Sequence, residues 1–148
     1  MRVIDYRQEH LADLMDGELS NGTQGHVFVK TYAESLELPG WSFTVLDHGH
    51  LIACVGISEM WKGVGEAWFV GSARLHQKSR EFVRLTRSGI FEDTVKKHKL
   101  WRVQAACRAD WVEALRFAKF MGFEEEGLMK KYGQNGEDFI RMAKIYGS

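Results

Sequence analysis

Residues 41–46 alternate. Trp41, Phe43 and Val45 fall on one side, Ser42 and Thr44 on the other, the period-two signature of a half-buried strand. Leu51 to Ile57 is almost wholly apolar, as a strand covered on both faces would be. The polar turn Asp47-His48-Gly49-His50 joins the two as a hairpin. Gly63 and Gly65 break the chain before a further apolar strand, Glu66 to Val70. Upstream, residues 2–6 read as a short strand and 7–17 as a helix carrying Leu11, Leu14 and Met15. Between 18 and 40 the period is lost. Ser20, Asn21, Gly22 and Gly25 mark a loop, and Val27 to Leu38 can hold a second helix ending at Pro39-Gly40.

Helical spacing takes over at 77–98. Phe82, Leu85, Thr86, Gly89 and Ile90 line one side of this long helix, and Arg80, Arg84 and Arg87 line another at i, i+4 and i+7. A strand follows at 100–107, in which Trp101, Val103, Ala105 and Cys107 alternate with Arg102, Gln104 and Ala106. The helix 111–121 carries the stripe Trp111, Ala114, Leu115, Ala118 and Met121, and Gly122 stops it. The end of the chain reads as a hairpin: Leu128 to Tyr132, the turn Gly133-Gln134-Asn135-Gly136, then Phe139 to Ile145. The order is β-α-(α)-β-β-β-α-β-α-β-β. A right-handed crossover through the long helix makes strands 66–70 and 100–107 parallel neighbours, and the rest is largely antiparallel. The expectation is an α/β (α+β) domain: a mixed, mostly antiparallel sheet of six to seven strands flanked by helices.

Composition narrows this further. At 148 residues there is room for one core, so residues 1–148 are read as a single domain. Lys and Arg number 20 and so do Asp and Glu, and this neutrality argues against a protein that binds nucleic acid mainly through phosphates. The neutrality is uneven, however. From Arg74 to Arg102 there are nine basic residues (74, 78, 80, 84, 87, 96, 97, 99 and 102) against three acidic ones, Glu81, Glu92 and Asp93. Such a run is either a solvated helix face or an attractor for a phosphate-rich ligand. Cys54 and Cys107 both sit in apolar stretches and read as small core residues rather than a disulfide or metal pair. His48 and His50 share a turn without metal-ligand spacing, so no metal is expected. No apolar run reaches the roughly 18 residues of a membrane span, and MRVIDYRQEH lacks a signal-peptide core. The expectation is a soluble, cytoplasmic protein without a membrane partner.

The segment RADWVEALRFAKFMGFEEEGLMKKYGQNGEDFIRMAKI carries a resemblance. Ala114-Leu115-Arg116-Phe117, leading to Met121-Gly122-Phe123 and then Glu126-Gly127, resembles the GNAT superfamily of acyl-CoA-dependent N-acetyltransferases. In that family a helix ends in Gly-Phe and is followed by Glu-Gly and a hairpin. The hairpin at 41–57 and the strand at 66–70 match in order and spacing, so the resemblance covers nearly the whole chain. KLWRVQAACRADW, RFAKFMGF and AWFVGS also resemble a smaller group of bacteriophage GNAT-like proteins, some of them virion or internal core proteins.

The resemblance implies a central pair of parallel strands that splay, with acetyl-CoA as cosubstrate in the gap. Phe69, Val70 and Gly71 would border the pantetheine arm, with Ser72 beside them. Lys78, Ser79 and Arg80 would meet the pyrophosphate at the start of the long helix, where free amides and the helix dipole favour an anion. Trp111 stands where many relatives have an asparagine that bonds the cofactor arm. The family's phosphate loop reads Gln/Arg-x-x-Gly-x-Gly/Ala, but here Gly71 to Arg80 holds one glycine, at its start. Small residues can still admit the phosphates, the binding mode can differ, or the site can be inactive.

Acetyl transfer needs a deprotonated amine and a protonated leaving thiolate. Glu66 opens the central strand where several relatives keep an acidic residue, and it is the candidate base, with Glu59 as the alternate. The family's general-acid tyrosine lies four residues before the Gly of Gly-Phe, and that position is Ala118; Tyr132 on the following strand is the candidate substitute. The resemblance therefore implies transfer of acetyl from acetyl-CoA to an amine acceptor, a small molecule or a protein amine. The departures leave a second reading open: a catalytically inactive GNAT-like phage protein, a structural or host-interaction module in the virion or host cytoplasm. Oligomerisation is compatible with either.

Overall fold

The computed structural model describes residues 1–16 and 33–147. Seven strands form one sheet in the order β1-β2-β3-β4-β5-β7-β6: β1 (Arg2–Asp5), β2 (Ser42–Asp47), β3 (His50–Trp61), β4 (Val64–Gly71), β5 (Arg102–Arg108), β6 (Glu124–Met129) and β7 (Phe139–Ile145). All neighbours are antiparallel except β4 and β5, which run parallel. The helices are α1 (Gln8–Asp16), α2 (Ser79–Leu85), α3 (Phe91–Lys97) and α4 (Val112–Phe120). None of the described helices is long and apolar enough to cross a membrane. The loop at 20–25 and most of the candidate helix at 27–38 lie outside the described residues; residues 33–36 form a turn.

Three buried clusters pack against the sheet, one of them joining Val45, Ile52 and Ala53 to Phe82 of α2. Tyr6, Leu11, Leu14, Leu36, Cys54 and Val70 pack on the α1 side. Val95, Leu100, Val103, Ala118, Phe123 and Met142 pack on the α3–α4 side. Both cysteines are free, and Cys54 is fully buried as a small core residue. Ser42 and Thr44, read from alternation as the polar side of β2, are buried instead. The α1 layer covers that face, and the hydroxyls are satisfied locally: Ser42 Oγ donates to the Leu36 carbonyl at 2.7 Å, and Thr44 Oγ1 lies 2.8 Å from His10 Nδ1.

The expected single helix over 77–98 is broken. After β4 the chain makes a 3-10 segment, Ala73–Lys78, then α2, then a wide π turn over Thr86–Ile90, then α3. The break falls at Ser88-Gly89, where Gly89 has φ +117°, and Thr86 Oγ1 bonds back to the Val83 carbonyl at 2.8 Å. The last hairpin is also shifted. β6 begins at Glu124, and residues 130–138 form a loop rather than a tight turn. Three successive glutamates at an exposed sheet edge leave no apolar alternation to mark that strand. Gly122 does end α4, with φ +97°.

Candidate functional site

The parallel pair β4–β5 is short. Val64 pairs with Arg102, Gly65 with Val103 and Glu66 with Gln104, and pairing then stops. β4 continues to Gly71 along β3, and β5 continues to Arg108 along β7. The inner edges 67–71 and 105–108 therefore diverge into a wedge whose backbone groups are free of each other. On the α3–α4 side the wedge presents small side chains: Ala67 on β4, Ala105 and Cys107 on β5. Burial, reinforced by the Glu66 charge and opposed by Arg141, pushes the Cys107 thiol up to about 11. Cys107 is thus a neutral wall of the wedge at neutral pH, not a nucleophile.

At the wedge mouth the side chains are large. Phe69 leaves β4 toward Phe82 of α2 (ring centroids 5.7 Å) and toward Trp111, the residue that caps α4 (6.3 Å). Phe82 in turn meets Phe117 of α4 at 5.8 Å. These four aromatic residues link the β4–α2 arm to α4. Trp111 is a packing group facing Phe69 at the wedge mouth.

The other expected cofactor residues separate. Val70 is fully buried against the α1-side core. Gly71 ends β4, and the Ser72 hydroxyl is spent on the Ile52 carbonyl at 3.1 Å. Lys78 turns away to an ion pair with Asp47 at 3.3 Å. Ser79 and Arg80 line a groove on the outer side of α2. The segment after β4 begins as a 3-10 turn with no side-chain cap.

On the α1 side of the sheet, strand parity puts Glu66 beside Gln104 and reaches Arg141 on β7. Arg141 Nη1 donates to Glu66 Oε1 (3.1 Å) and Oε2 (2.9 Å), and Gln104 Nε2 donates to Oε1 at 3.2 Å. Gln104 Oε1 accepts from Arg102 Nε at 3.0 Å, and Arg102 grips Glu126 with two bonds of 2.9 and 2.6 Å. The chain Arg141–Glu66–Gln104–Arg102–Glu126 thus crosses four strands. Glu66, expected at the strand's opening, is its third residue and a half-buried member of this chain. Oε1 is doubly occupied, while among the described residues Oε2 accepts from Arg141 alone and keeps a lone pair for an amine or a bridging water. The sequence makes strands 66–70 and 100–107 neighbours, but it does not mark Gln104, Arg102, Glu126 or Arg141 as site residues, because nothing in the spacing of 66, 104 and 141 gives the register that brings their side chains together.

The strand placement of Tyr132 is corrected. It lies on the loop after β6, not on a strand, 54% exposed and edge-on to Phe139 at 5.3 Å. Ala118, at the position where the family places its tyrosine, is buried in the core. Among the described residues no group of three or more His, Cys, Asp or Glu side chains could hold a metal ion.

Charge tuning near the arms is local. Burial opposes ionisation of Asp47, but the Lys78 hydrogen bond and charge, with His48 and the amino terminus, outweigh it and hold the carboxyl below its ordinary value of 3.8. The bidentate Arg102 contact does the same for Glu126. A depressed folded pKa adds stability above the unfolded value and loses it as pH falls through the folded one. Urea midpoints are therefore expected to fall on acidification below about pH 4, and to fall less steeply in Asp47→Asn. Parallel curves for parent and variant would remove Asp47 from this role.

No protein-family model matches this sequence, and no curated protein matches it by sequence. Solved structures do match its fold. The ribosomal-protein-alanine N-acetyltransferase of Brucella melitensis superposes with a TM-score of 0.73 at 13% identity, covering 99% of this chain and 100% of that one. An acetyltransferase of the GNAT family from Streptococcus pneumoniae gives 0.71 at 14%, covering 99% of each. A spermidine N-acetyltransferase variant from Vibrio cholerae gives 0.67 at 15%, covering 98% and 95%. The chain has the GNAT fold, with seven strands and the central parallel pair. At these identities the likeness speaks for the fold, and the reaction must be argued from the wedge.

Proposed function

We propose that this protein is an N-acetyltransferase that takes acetyl-CoA into the β4–β5 wedge and passes the acetyl group to an amine. The observation that carries the reading is the end of β4–β5 pairing after Glu66 and Gln104, above walls of Ala67, Ala105 and Cys107. A narrow acyl-pantetheine arm needs such a space: two free strand edges to bond its amides, and no large side chain between them. The amine nitrogen attacks the thioester carbon, the carbon–sulfur bond breaks, and the coenzyme thiolate leaves. Glu66 Oε2 takes the amine proton, directly or through water, and Tyr132 is the proposed proton source for the thiolate. The acceptor class stays at the level of an amine, since structures of this fold include enzymes whose names specify a ribosomal-protein alanine or spermidine.

Two observations favour a competing reading, a GNAT-fold binding module without catalysis of the virion or host-interaction kind. The Phe69–Trp111 and Phe82–Phe117 contacts brace the wedge mouth, and the following turn has no spaced glycines. Thermal unfolding with acetyl-CoA separates the two. At a hundred times its dissociation constant the ligand adds about 2.7 kcal/mol to the stability of an enzyme that binds it. Absence of any shift at millimolar acetyl-CoA sinks the acetyltransferase and leaves the binding module.

A further inference from the structure

α2 buries Phe82 and turns Arg80 and Arg84 to the opposite side, and Arg87 follows in the π turn after it; all three are exposed. At about 1.5 Å of rise per residue, the backbone from Arg80 to Arg87 spans roughly 10 Å. Beside them, the end of α4 brings in Phe120, and the two elements enclose a groove of about 360 Å³ lined by Ser79, Arg80, Val83, Arg84, Arg87 and Phe120. Among the described residues, no carboxylate forms an ion pair with any of the three arginines. Like charges at i and i+4 repel by a few tenths of a kcal/mol each, so the stripe is a small cost to the folded chain. A merely solvated face would have neither a second wall nor a fixed cation. Here the Arg87 guanidinium lies 4.4 Å from the Phe120 ring centroid, and that ring remains 48% exposed.

We propose that this groove is a track for single-stranded nucleic acid, in which Arg80, Arg84 and Arg87 contact successive phosphates and Phe120 offers its exposed surface to a base. A row of cations beside an exposed aromatic ring is the chemistry by which such strands are held without sequence preference. Along the chain, exposed Arg74 precedes these residues and exposed Lys96, Lys97 and Lys99 follow them. Overall neutrality is no obstacle, because it averages this region with the acidic edge strand β6. The proposal holds whether or not the wedge takes acetyl-CoA.

The test uses the full chain and a fluorescently labelled oligothymidylate of about 12 nucleotides. Anisotropy in about 50 mM salt is expected to show saturable binding, with a log–log salt slope near −2 for three phosphate contacts. The combined variant Arg80→Gln, Arg84→Gln, Arg87→Gln is expected to weaken binding at least about tenfold, with its circular dichroism and melting unchanged. Phe120→Ala is expected to weaken it at least about fivefold with little change of slope. Three outcomes overturn the proposal. One is the absence of binding at low salt, and another is undiminished binding by the triple glutamine variant. The third is displacement of the strand by a competitor of another class, either polyglutamate, which assigns the groove to an acidic peptide, or acetyl-CoA, which assigns it to the coenzyme.

Discussion

Replacing Gly63 with alanine is expected to remove about 3 kcal/mol of folding stability, combining backbone strain with a forced shift of packed groups. Gly63 sits at φ +88°, and a Cβ there would lie inside the Trp101 indole. Its carbonyl accepts from both Trp101 N (2.8 Å) and Arg102 N (3.1 Å), so the β3–β4 turn is the seat on which β5 starts. Any shift of that seat displaces the parallel pair Val64–Arg102 next to it, and with it the base of the wedge. For a chain of this size the loss corresponds to a fall in melting temperature of roughly 10 °C. Urea unfolding of Gly63→Ala, alone and with Trp101→Ala, separates the two contributions. The double variant is expected to recover the steric part and keep the backbone part. A single variant as stable as the parent would show that the indole moves aside freely.

Glu66→Gln is expected to lower kcat for acetyl transfer by about two orders of magnitude while leaving the KM for acetyl-CoA unchanged. The substitution keeps the shape of the side chain and an acceptor for Arg141, but removes the charge and basicity on which proton uptake at Oε2 depends. Glu66 also ties β4 to β7, so a stability loss alone would not reveal chemistry. Arg141→Ala supplies the control, because it breaks the same tie and leaves the carboxylate in place. If Glu66 is only a tie, the two variants destabilise alike and turnover per folded molecule is that of the parent. If Glu66 is the base, Glu66→Gln loses turnover far beyond its loss of stability.

Much of the fold could be read from local pattern. The hairpin at 41–57, the strand at 66–70, the strand at 100–107 (102–108 in the sheet), the helix before Gly122 and the parallel crossover all follow from period, glycine placement and the handedness of the connection. The misreadings have one physical source each. Ser42 and Thr44 alternate like solvent-facing residues, but a short hydroxyl can be buried when a carbonyl or imidazole nitrogen meets it. The helix over 77–98 reads as continuous because apolar spacing does not register a backbone break at Ser88-Gly89. β6 was expected four residues late because its first residues are exposed glutamates. Tyr132 was carried onto a strand by that same shift.

The order of residues along the chain was enough to determine which segments are strands or helices and which strands had to run parallel, because those properties depend on neighbours a few positions away and on the chirality of the chain. It also marked Glu66 and the arginine stripe as unusual. Only the folded sheet decided what they face. Glu66 meets Arg141 across β5 through a register between strands 75 residues apart. Lys78 is taken by Asp47, whereas Arg80, Arg84 and Arg87 have an aromatic wall and, among the described residues, no ion-pair partner. The partner of a charge is set by distances through space, and those exist only after the strands have paired.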